Sequence, residues 1–309
     1  MKVAASSARP HTGKPVAQMN PLPRPPWLPT KVWPFETFGL RVDGTTIAVT
    51  DVGEGPALLF VHTGFWSFIW RDVIARLSNN FRCVTFDAPG TGRSSHEGKS
   101  QISLNKASTA LCAVVEALDL CDLTLVVHDL GGPSGIAGAA RAPERVRGLV
   151  GVNTFAWKPS GMMFRSMLAL MGSSPMREFD AATGFLARIS ASSFGVGRHL
   201  DSDSRLAFRA GIGPSGLRTF HRYLRDARGS DSIYDEAMAA LSGPFRALPL
   251  LTIFGEHNDP LGFQPRWRQM FPDLCRVVVP NGNHFPMCDD PDLVANTIRS
   301  WHRDRIVRA

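Results

Sequence analysis

Asp129, Asp259 and His284 each stand just past a short apolar, β-branched run, the spacing expected of side chains delivered to one place by neighbouring strands. Asp129 ends Leu123-Thr-Leu-Val-Val-His-Asp and is followed by Leu130-Gly-Gly-Pro-Ser-Gly135. A run that stops abruptly at small residues predicts a buried strand, a tight turn and a helix. Gly131 and Gly132 remove the side chains that would block a sharp bend, so the turn would display Asp129 as a nucleophile elbow displays its reacting group. A carboxylate held there can attack saturated carbon, leaving an ester that water must cleave. An aspartate that caps the following helix explains this stretch alone equally well.

The other two residues supply what such an ester would need. Asp259 lies in Gly255-Glu-His-Asn-Asp-Pro260 and His284 in Gly282-Asn-His-Phe-Pro286. His284 would deprotonate the attacking water, while Asp259 would fix its tautomer and stabilise the imidazolium. Each taken singly is as readily an ordinary turn residue. Glu256, nearer its strand, is the reserve acid. Charge on a leaving atom or oxygen would fall on the Leu130 amide and on an amide of Gly64 or Phe65, with the Trp66 indole as a further donor or simply a packed aromatic. Asn153, just past another strand, is either a polar contact to substrate or a strand-end turn residue.

The elements that must position these groups alternate along the chain. Residues 38–43 and 45–53 form a hairpin about Asp43-Gly44, and continuous apolar runs at 56–62, 83–87, 123–129, 146–154, 250–254 and 276–280 read as parallel strands buried on both faces. Helical spacing separates them at 67–77, 104–118 and 291–302, so the fold class is α/β, a mostly parallel sheet with helices on both faces. Residues 157–241 lack strand signals and predict a helical cap inserted into a core of 34–156 and 242–309. Residues 1–33, rich in proline and basic side chains, predict an arm.

Composition narrows the function. The 44% hydrophobic content suits a large core, and the net charge of +7 comes from scattered arginines rather than a run interleaved with aromatics, which argues against a nucleic-acid groove. The five cysteines have neither metal-ligand spacing nor scaffold density, so no metal is expected. With no apolar run of spanning length and no leader-like segment at the start, a soluble cytoplasmic protein without membrane attachment is expected.

With these pieces assembled, the chain resembles an α/β-hydrolase, and among these the haloalkane dehalogenase and epoxide hydrolase branch, over roughly residues 34–302. The resemblance rests on Trp33-Pro-Phe-Glu36, His62-Thr-Gly-Phe-Trp-Ser-Phe-Ile-Trp-Arg71, Asp87-Ala-Pro-Gly-Thr-Gly-Arg-Ser94, Val126-Val-His-Asp-Leu-Gly-Gly132 and Asn283-His-Phe-Pro286, with the order nucleophile, acid, histidine. It implies Asp129 as nucleophile, His284 as base and Asp259 as acid, since the family's other acid position holds Asn153. It also implies a small apolar organic substrate, water as co-substrate and no cofactor. Leu130 stands where the dehalogenases carry a halide-gripping tryptophan. The epoxide hydrolases instead use two cap tyrosines, which would be Tyr223 and Tyr234. A non-catalytic ligand-binding protein on the same fold is the third possibility.

Overall fold

The computed structural model describes residues 19–95 and 102–307. Its strands are β1 (Asn20–Pro21), β2 (Phe38–Val42), β3 (Thr45–Val52), β4 (Ala57–Thr63), β5 (Arg82–Phe86), β6 (Leu123–Asp129), β7 (Val146–Thr154), β8 (Leu250–Gly255) and β9 (Cys275–Val279). They form one sheet in the order β1-β2-β3-β5-β4-β6-β7-β8-β9, antiparallel from β1 to β5 and parallel from there on. Asp43 and Gly44 both have positive φ, the geometry a two-residue hairpin turn requires. All of β4 is buried, as is β6 up to Asp129, which is why both read as unbroken apolar runs.

The helices are α1 (Arg71–Leu77), α2 (Leu104–Ala117), α3 (Gly131–Ala139), α4 (Met162–Met171), α5 (Ser174–Thr183), α6 (Phe185–Ser190), α7 (Ser202–Ala227), α8 (Asp231–Ser242), α9 (Phe263–Met270), α10 (Pro286–Asp289) and α11 (Pro291–His302). The segment between β7 and β8 contains helices and no strand. Helices α4, α5 and α6 rest on α7, which bends where Gly213 takes φ +55° ahead of Pro214. Helix α8, expected within the cap, instead packs against α3, because Ile233, Ala237 and Leu241 are buried in the same cluster as Ile136 and Ala137. It is therefore a core helix.

Residues 19–33 of the expected arm also belong to the body. Leu28, Val32 and Trp33 are buried, and Trp27 meets the Trp66 ring edge-on at 5.6 Å. Four large apolar side chains among the prolines drive this packing. The rest of the arm, residues 1–18, lies outside the described residues.

Candidate active site

Asp129 closes β6 with φ +50°, a conformation that costs a non-glycine residue energy and persists only where its surroundings fix it. The surroundings are specific. The Thr154 hydroxyl donates to the Asp129 carbonyl at 2.7 Å, and the Trp267 indole donates to the Thr154 carbonyl at 2.8 Å. A Cβ on Gly131 would lie 2.7 Å from the Val61 carbonyl oxygen, and one on Gly132 2.2 Å from that of Phe155. Only glycine lets α3 start this close to β4 and β7. Thr63 donates to Ser134, whose hydroxyl donates to the Leu130 carbonyl, tying the end of β4 to the same turn.

His284 arrives from the loop after β9 and places Nε2 3.5 Å from Asp129 Oδ2, with the two side chains 37% and 24% exposed. Its main chain is held more tightly than its ring. Asn153, at the end of β7, donates from Nδ2 to the carbonyls of Asn283 (2.8 Å) and His284 (2.9 Å) and accepts the Gly255 amide on Oδ1 (3.0 Å). Asp289 accepts the Asn283 amide at 2.6 Å. His128 Nε2 donates to the His284 carbonyl at 2.8 Å, which leaves its Nδ1 as the acceptor for His62 Nδ1–H at 3.0 Å. Burial pushes both histidines down, His62 to about 3, so this pair stays neutral beside the base.

Burial also pushes the Asp129 carboxyl up, but hydrogen bonding to the His284 ring and to the Leu130 amide outweighs it and holds it below its ordinary range. Asp129 is therefore a carboxylate at neutral pH. Around it, Phe65 stacks on Phe220 of α7 at 5.0 Å between ring centroids and on Phe285 at 6.0 Å, so core and cap meet in aromatic rings. Gly64 has φ +125°, and a Cβ there would collide with the Phe220 ring.

Several expected roles do not match this geometry. Asp259 does not reach His284: its carboxylate accepts the amides of Phe263 (2.6 Å) and Gln264 (2.9 Å) and so caps the first turn of α9. Glu256 accepts the Asn281 amide at 2.8 Å. The side chain facing His284 Nδ1 is the amide of Asn258, at 3.1 Å. Asn153 is nearly inaccessible and serves the His284 loop rather than a substrate. The Trp66 indole donates to the Phe208 carbonyl at 3.2 Å and is committed there. The Tyr223 hydroxyl donates to the Pro89 carbonyl (2.9 Å) and that of Tyr234 to the Ala227 carbonyl (2.7 Å); both are buried, so neither is free to meet an epoxide oxygen. Leu130 contributes its amide, and its side chain is buried in the core. Asn258, His128 and His62 were missed. Asp259 lies four residues before the start of α9, outside the ordinary N-cap position held by Gly262, so no local signal separated its use from that of Asn258.

Among the described residues no group of histidine, cysteine and acidic side chains could hold a metal ion, and no helix is long and apolar enough to cross a membrane.

Residues 58–297 match the model of the alpha/beta hydrolase family. Haloalkane dehalogenase 2 of Mycobacterium tuberculosis is 28% identical over 279 residues, covering 87% of this chain and 95% of that protein. A cis-3-alkyl-4-alkyloxetan-2-one decarboxylase of Shewanella oneidensis is 26% identical over 285 residues, covering 87% and 88%. Among solved structures, haloalkane dehalogenase DbeA from Bradyrhizobium elkani superposes with a TM-score of 0.75 at 17% identity, covering 88% of this chain and 99% of that one. A putative ancestral haloalkane dehalogenase gives 0.75 at 21%, with the same coverage.

Proposed function

This chain belongs to the alpha/beta hydrolase family, in its haloalkane dehalogenase-like branch, and on that premise we propose that it cleaves a carbon–halogen bond through an ester formed on Asp129. The observation that carries the reading is an ionised carboxylate at a strand end, 3.5 Å from the nitrogen of a histidine whose ring packs on Phe285. A carboxylate oxygen attacks the sp³ carbon, the carbon–halogen bond breaks and halide leaves with the electron pair. His284 Nε2 then takes a proton from water as its oxygen adds to the ester carbonyl. The Leu130 amide, at the start of α3, faces the oxyanion. Collapse releases the alcohol, which receives its proton from His284, and restores the carboxylate.

Leu130 has no side-chain donor and the Trp66 indole is engaged, which favours as a second reading a substrate whose leaving group needs less cradling than halide. The strained ring ester named in the Shewanella oneidensis relative is such a group. The test is intact-protein mass of His284→Ala after exposure to a bromoalkane, a chloroalkane, an aryl epoxide and a cis-dialkyl oxetan-2-one in separate tubes. An added alkyl group from a haloalkane, lost in Asp129→Asn, supports dehalogenation. A whole-molecule adduct from the epoxide or lactone alone moves the chemistry to ring opening. No adduct with any, while a ligand is bound and returned unchanged, makes the chain a binding protein.

A further inference from the structure

The cap carries apolar side chains on the wrong side for a core. Nine of the eleven large apolar side chains exposed among the described residues fall between Met162 and Leu206. Met162 (85% exposed), Met163 and Leu170 project from α4, Phe179 from α5, Phe185 from α6 and Phe194 (79%) from the loop beyond. Because α4, α5 and α6 all rest on α7, their other faces point away from the body, and the Phe179 and Phe185 rings meet at 6.4 Å. A monomeric surface rarely concentrates its exposed apolar side chains in one such region without use for them.

The unpaired charges around them are basic. Residues 161–206 hold four carboxylates, each with a partner: Glu178 is bridged to Arg177 and Arg218, Asp180 is buried against His221 Nε2 at 2.8 Å, Asp201 accepts the Ser204 amide, and Asp203 is bridged to Lys31. Arg165 and Arg188 are exposed on α4 and α6, and their side chains make no ion pair or hydrogen bond with the described residues. A second copy of this face would bring like charges together. A nucleic acid would satisfy the arginines but leave the methionines and phenylalanines in water. A surface that is anionic at its headgroups and apolar a few ångströms below satisfies both.

We propose that the outer face of α4–α6 docks the protein on anionic lipid bilayers, the phenylalanines and methionines entering the acyl boundary while Arg165 and Arg188 meet lipid phosphates. This peripheral contact needs no spanning helix, and it amends the sequence expectation of no membrane partner. It also sets the cap, whose α7 supplies Phe220 to the aromatic stack near Asp129, against the phase in which an apolar substrate concentrates.

The test is co-sedimentation of the full chain with phosphatidylcholine vesicles, with and without phosphatidylglycerol, across a salt series. Binding is expected only where the anionic lipid is present and is expected to weaken with salt. Removing each arginine in Arg165→Glu and Arg188→Glu should weaken it by roughly fivefold or more. Phe185→Ser and Phe194→Ser should each weaken it by about tenfold. All four sites are exposed, so melting temperatures should not move, and a variant that melts early is replaced by Phe185→Gln or Phe194→Gln. No sedimentation with anionic vesicles, or sedimentation that ignores these substitutions, overturns the proposal. So does a concentration-dependent dimer that the phenylalanine substitutions dissociate, since the face would then belong to a second copy.

Discussion

Asn258→Asp replaces the amide facing His284 Nδ1 at 3.1 Å with a carboxylate and should speed the cleavage of the Asp129 ester. An asparagine can serve either tautomer of a neutral imidazole: its NH₂ donates to a bare Nδ1, or, turned over, its oxygen accepts Nδ1–H. Only the second leaves Nε2 free to take a proton from water. A carboxylate permits only the second, and it also opposes the positive charge that His284 acquires in that step. The charge matters most there, because Asp129 is then an uncharged ester and no longer helps. A hydrogen bond to a charged partner is worth about 1.5–3 kcal/mol against about 1 for a neutral one. That gain spans about 0.5–2 kcal/mol, and at a site where His284 is 37% exposed we take a value below its middle, about 1 kcal/mol, or roughly fivefold in rate. Fixing the tautomer adds to this. The assay is rapid-quench intact mass after a single turnover with a bromoalkane, following loss of the adduct. Alkylation should be unchanged and its decay at least about fivefold faster in Asn258→Asp. Equal decay in the two proteins would refute the assignment of Asn258 as the group that orients the base.

Other outcomes follow from the same geometry. Asn153→Ala leaves the Asn283 and His284 carbonyls and the Gly255 amide without their partner, so stability should fall by about 2–4 kcal/mol and ester cleavage should slow more than alkylation; denaturant melts and single-turnover rates check both. Gly132→Ala would set a Cβ 2.1 Å from Thr154 Oγ1 and 2.2 Å from the Phe155 carbonyl oxygen, a clash with backbone costing about 3 kcal/mol or more, visible as a lost or early melting transition. Tyr223→Phe should cost about 1 kcal/mol through the unpaired Pro89 carbonyl and leave turnover alone; a loss of epoxide turnover would return that tyrosine to the chemistry. Asp129 is held below its ordinary value of 3.8, so its ionised form favours the fold above that pH and the benefit is lost as pH falls through the lower folded value. Alkylation should therefore persist to lower pH in the wild type than in His284→Ala, where burial acts with less opposition, and pH–rate profiles of the two proteins check the order.

The places of Asp129, at the end of β6, and of His284, in the loop after β9, were legible because the apolar runs before them are unambiguous and glycine or proline follows within two residues, so local rules suffice. The hairpin at Asp43-Gly44 was legible for the same reason. Asp259 was not, because an aspartate after a strand and before a helix has one appearance in sequence and two uses, and the loop's path decides between them. Trp66, Tyr223 and Tyr234 were assigned by their donors, but their acceptors lie in Phe208, Pro89 and Ala227, two of them more than a hundred residues away, and no spacing rule reaches that far. The proline-rich start concealed Trp27, Leu28, Val32 and Trp33 among residues that signal an arm.

Holding the base by its peptide rather than its ring separates two variables that a triad acid ordinarily controls together. Asn153, His128 and Asp289 set how far the imidazole stands from Asp129, whereas position 258 sets which proton it carries. On the proposed ester chemistry, a single exchange at 258 would retune the hydrolytic half-reaction while the alkylating half stays as it is, so that the lifetime of the covalent state becomes adjustable on its own.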